Sequence, residues 1–79
     1  MMKIQGNWKK YKLVPVYERE DGFRIHTLGI IRKLNGVILT PPYSKIIYYK
    51  RLVGGRTARA MMLLCNHLYP INREQQNDQ

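Results

Sequence analysis

Only one stretch of this chain has a helical period long enough to commit it to a definite element, and it lies toward the C-terminal end. Between Gly54-Gly55 and Pro70, Met61, Leu64, Cys65 and Leu68 recur at i, i+3, i+4 and i+7, a single apolar stripe covering about a third of a helix's circumference. Ala58, Ala60 and Met62 extend the stripe with good helix formers, and Pro70 stops it. A helix over Arg56 to Tyr69 with one such stripe needs one apolar surface to cover it. Most of what precedes it reads as strand and turn. The expected fold is therefore α+β: a small antiparallel β-sheet of three to four strands, followed by one C-terminal amphipathic helix packed on one face.

The strands come from alternation and turn chemistry. Tyr11, Leu13, Pro15 and Tyr17 alternate with Lys12, Val14, Val16 and Glu18, and Pro15, lacking an N–H, puts that strand at a sheet edge or a bulge. Asp21-Gly22 is a hairpin signal. The run from Phe23 to Leu34 changes phase near Gly29, which reads as a bulge within one long strand. Asn35-Gly36 predicts a two-residue hairpin, Val37 to Thr40 a third strand, and Pro41-Pro42 its end. Tyr43 to Val53 is ambiguous. Its β-branched and aromatic residues favour a fourth strand or a continuation of the third, while Ile46, Tyr49 and Val53 also fit a short helix.

Seventy-nine residues make one small domain, which buries only about 60–65% of its unfolded surface and is marginal for that reason. The ends, 1–8 and 72–79, carry little pattern and read as flexible. Cys65 is the only cysteine, which excludes an internal disulfide and a multi-cysteine zinc site; it sits in the run Met61 to Cys65 as a small buried hydrophobe. No segment approaches the ~20 apolar residues of a membrane span, and Met1 to Lys10 lacks a signal-peptide core. A cytoplasmic location is expected, in a cell's own compartment or a virus-infected host.

Charge is the functional clue. The net charge is +9 and the isoelectric point about 10.1. Between Gly22 and Asn72 there is no carboxylate, yet Arg24, Arg32, Lys33, Lys45, Lys50, Arg51, Arg56 and Arg59 all fall there. Unneutralised cations repel one another and oppose compaction, a burden most readily kept when a polyanion meets them. Nucleic acid, DNA or RNA, heads the expected partners, followed by an acidic protein; no membrane partner is expected.

Two candidate surfaces follow. The first is the sheet face left uncovered by the helix, where tyrosines with interleaved cations would stack on bases and meet phosphates. Arg24, Arg32, Lys33, Tyr48, Tyr49, Lys50 and Arg51 are its candidate residues. The second is the helix start, where free N–H groups attract anions and where Arg56 and Arg59 stand in place of the acids a stable helix prefers. Its two adjacent glycines also suit any sharp turn and match neither the phosphate-loop nor the dinucleotide spacing. His26 and His67 are far apart and have no neighbouring carboxylate, so no metal site or acid–base pair is expected.

The chain thus reads as a non-enzymatic nucleic-acid-binding module without cofactor. The competing reading is a small accessory or inhibitor factor that docks its basic face on an acidic protein, since interface cores favour Tyr, Met and Arg. Self-association through an edge strand, giving a homodimer, is a third expectation.

Overall fold

The computed structural model describes residues 4–33 and 35–71; the tail 72–79, residues 1–3 and Leu34 lie outside the described residues. Five short strands run β1 (Trp8–Lys10), β2 (Val16–Arg19), β3 (Arg24–His26), β4 (Ile30–Arg32) and β5 (Ile38–Leu39), and they are followed by α1 (Tyr43–Leu52) and α2 (Thr57–Leu68). The strands form one antiparallel meander in the order β1-β2-β3-β4-β5. The α+β class holds, with five strands rather than three to four and two helices rather than one among the described residues.

Turn chemistry explains the extra strands. Gly29 does not bulge a long strand; it closes a turn between β3 and β4. Its N–H donates to His26 O at 2.9 Å and its φ is +100°, the left-handed residue that completes a three-residue hairpin loop. Gly22 and Gly36 hold the same place in their own turns, donating to Arg19 O and Lys33 O. The turn at Asn35-Gly36 is therefore closed by Lys33 N–H donating to Val37 O, which is not the closure of the expected two-residue hairpin. The strand assigned to Tyr11 to Glu18 begins only at Val16. Tyr11 to Pro15 form the connecting loop, with Pro15 O accepting from Thr27 N. At the N-terminal end Trp8 opens β1 and Ile4 packs against the core.

Tyr43 to Leu52 is helix, which corrects the strand reading. Pro41-Pro42 ends the sheet and leads into α1, with Pro42 O accepting from Lys45 and Ile46 N–H groups. Ile46 and Val53 are buried, and Tyr49 packs against the same core; this i, i+3, i+7 face outweighs β propensity, which depends on context. The glycines that read as a break before the second helix are the C-terminal cap of the first. Gly54 is left-handed and Gly55 N–H donates to Lys50 O at 2.8 Å, a Schellman closure.

The strand register sorts side chains onto two faces, since alternate residues point to opposite sides. Tyr17, Ile25, Ile31 and Leu39 form one cross-strand row. With Ile46, Met61, Met62, Leu64 and Cys65 from the helices, this row makes the core, and α2 packs on β3. Arg19 is also on this side, 1% exposed. Its guanidinium gives two bonds to Asp21, at 2.7 and 2.8 Å, and one to Asn66 Oδ1 at 2.7 Å, and it lies against the Trp8 and Phe23 rings. Asn66 Nδ2 in turn donates to Gln5 O. One buried cation thus fastens a hairpin, α2 and the N-terminal segment together. Among the described residues no helix is long and apolar enough to cross a membrane.

Candidate nucleic-acid interface

Among the described residues no helix lies over the other face of the sheet. A cross-strand row with one residue from each strand runs along it: Lys9, Glu18, Arg24, Arg32 and Ile38. Beside it lies a second row, Val16, His26 and Ile30. Tyr11 and Val14, from the β1–β2 loop, complete a shallow cavity of about 290 Å³ whose floor is Val16, Ile30 and Ile38.

Within this face Arg24 and Arg32 are direct partners on neighbouring strands, a like-charge placement that weakens a strand pair. Glu18 is the carboxylate in the row. Its Oε1 accepts from Tyr11 Oη at 2.5 Å and lies 3.4 Å from Arg24 Nε. The Tyr11 hydrogen bond, opposed by desolvation and assisted by Arg24, holds the Glu18 carboxyl below its ordinary range; the same bond raises the Tyr11 phenol. Arg24 also lies 5.6 Å from the Tyr11 ring centre. Arg32 is exposed, and the only carboxylate in its row is already engaged by Tyr11 and Arg24. Leu28 N–H donates to His26 Nδ1 at 3.0 Å, which leaves the imidazole proton on Nε2. The face therefore combines an apolar floor, the Tyr11 ring, a donor at His26 Nε2, and an excess of positive charge.

Of the residues expected at the site, the structure brings only Arg24 and Arg32 together on the open sheet face. Lys33 is drawn to the other side, its Nζ 4.9 Å from the Tyr69 ring centre. Tyr48, Tyr49, Lys50 and Arg51 belong to α1, so the expected tyrosine-bearing strand does not exist. Tyr48 is exposed; Tyr49 packs inward, edge-on to Tyr48 and tilted against His67. Lys50 and Arg51 occupy the last turn of α1, where the helix dipole favours cations, so a structural role accounts for them. Arg56 is the N-cap residue of α2 without a side-chain cap bond, and no acid stands in that first turn. Arg59 follows, half-buried.

Lys9, His26 and Ile38 are not marked as site residues by the sequence. Lys9 lies next to the stretch that reads as flexible, and His26 has no neighbouring carboxylate in sequence to mark it. Only the register, invisible in residue types, aligns them with Arg24 and Arg32. Comparison with protein-family models, curated proteins and solved structures finds no match for this chain.

Proposed function

We propose that this chain is a small, non-enzymatic nucleic-acid-binding module that uses the open face of its sheet, with a cytoplasmic location where such polymers are met. The observation that carries this reading is the Arg24–Arg32 pair, two cations placed opposite each other on adjacent strands in a row with Lys9 and a single, already engaged carboxylate. Folding alone gains nothing from that placement; successive phosphates give it a use. Tyr11 supplies a ring, and His26 a ring and a donor, beside the cations.

Anisotropy of labelled DNA and RNA, titrated from low to physiological salt, tests the reading. R24Q/R32Q is expected to weaken binding and flatten the dependence on salt. R56Q/R59Q, altering the helix start on the other side of the sheet, is expected to leave the slope near the wild-type value. The reverse pattern would move the interface to the helix pair.

The second reading, docking on an acidic protein, is favoured by the outer side of α1, where Tyr48 is 58% exposed and Lys45 and Arg51 are exposed as well. Tyr and Arg are enriched at interface cores. Capture of partners before and after nuclease treatment separates the two, because contacts bridged by nucleic acid are lost with nuclease. Light scattering with mass determination tests the homodimer.

A further inference from the structure

We infer that the open sheet face takes single-stranded rather than duplex nucleic acid, seating one unstacked base on the floor of Val16, Ile30 and Ile38 while Arg24 and Arg32 hold its phosphates. The inference rests on the nucleic-acid reading and adds the form of ligand.

Three observations carry it. The floor is apolar and partly open: Ile38 is 62% exposed and Val14, at the cavity wall, 45% exposed. A duplex keeps its base faces stacked inside and offers a shallow surface only phosphate and sugar, which an apolar floor does not reward. A splayed single strand presents those faces, and stacking or apolar contact with them is a sequence-tolerant source of affinity. Next, the cavity of about 290 Å³ lies just below the ~300–1,000 Å³ range of small-ligand sites, a size for one nucleotide rather than several. Finally, the helix packed on the sheet is committed to the core. Ala60 to Cys65 of α2 are all buried, so the middle of this helix offers no side chains to read base edges, as a groove-reading helix must.

Charge selects the occupant of the floor. Its rim carries Arg24 and Arg32, with Lys9 farther along the same row, and the chain has no acid between Gly22 and Asn72. A ligand with an apolar, flat part and a neighbouring anion fits both features. His26, with its proton on Nε2, and Tyr11 add polar contacts at the same rim.

The test uses the full chain and three probes at about 0.15 M salt: a labelled oligothymidine, an oligouridine, and a mixed-sequence duplex of equal length. The wild type is expected to bind the single strands about tenfold or more tighter than the duplex. V14S/I38S, altering two exposed side chains, is expected to lose most of that advantage while keeping its duplex affinity and the salt slope. Equal or tighter duplex binding by the wild type would overturn the inference and leave the nucleic-acid reading standing. So would a single-strand advantage that V14S/I38S retains in full. Failure of all three probes to bind would overturn both. The wild-type ratio needs no variant, so the inference stays open to refutation even if V14S/I38S fails to fold.

Discussion

Arg24 on β3 and Arg32 on β4 are antiparallel partners, which places their Cα atoms about 5 Å apart with both side chains on the face that α2 does not cover. The charge is held there by the backbone register rather than by a favourable contact between the two. Stability and binding should therefore respond in opposite directions when it is removed. R24Q/R32Q is expected to raise the unfolding free energy in urea modestly, by ~0.2–1 kcal/mol of relieved repulsion, while nucleic-acid affinity falls. A loss of both would mean that the pair supports the sheet.

Glu18 competes with any anion for Arg24, since it lies 3.4 Å from that guanidinium and accepts from Tyr11. E18Q should tighten binding to nucleic acid. It should also let Tyr11 ionise at lower pH than in the wild type, because the bond that raises its phenol loses the carboxylate. Ultraviolet titration of E18Q and wild type, with Y11F as reference, reads the second effect.

Arg19 and Asp21 behave differently because Arg19 is sealed inside. Desolvation pushes the Asp21 carboxyl up, but the hydrogen bonds and charge of Arg19, together with backbone hydrogen bonds, outweigh it, and the net shift is downward. A carboxyl depressed on folding contributes stability that is whole above its ordinary value near 4 and is lost as pH falls through the lower folded-state value. D21N should cost about 1–3 kcal/mol at neutral pH by leaving the buried Arg19 cation without its charge partner. The gap between D21N and wild type should narrow on acidification, as measured by urea unfolding at several pH values.

Gly29 tests the turn that splits the long central run. A side chain there would be strained at φ +100° and would bring a Cβ to 3.2 Å from Ile46 Cδ1, coupling the β3–β4 turn to α1. G29A should cost more than ~1 kcal/mol, and amide exchange should quicken in α1 as well as in the hairpin. Protection lost only at the hairpin would mean that the turn and α1 are not coupled.

What the sequence made legible was whatever carried a long period or a strong stop signal. The α2 stripe is one example, although Leu68 at its end is 45% exposed. Tyr43 to Val53 misled because Ile46, Ile47, Tyr48 and Tyr49 favour strands individually, and packing of Ile46, Tyr49 and Val53 decided the outcome. Gly29 misled because no Asn or Asp precedes it, yet it stands seven residues from both Gly22 and Gly36, a spacing that in retrospect repeats one hairpin unit. For the site, charge marked Arg24 and Arg32, but strands of two to four residues are too short for alternation to assign faces. Tyr48 and Tyr49 were misplaced as a direct consequence of the helix.

The most direct measurement is the salt dependence of binding to a labelled single strand by wild type and by R24Q/R32Q. Contacts from Lys9, Arg24 and Arg32 predict binding that persists at about 0.15 M salt with a log–log slope of about −2, which the double variant flattens by about 1.4. Wild-type binding that vanishes well below that salt, or a double variant with an unchanged slope, would contradict the assignment of nucleic acid to the open sheet face.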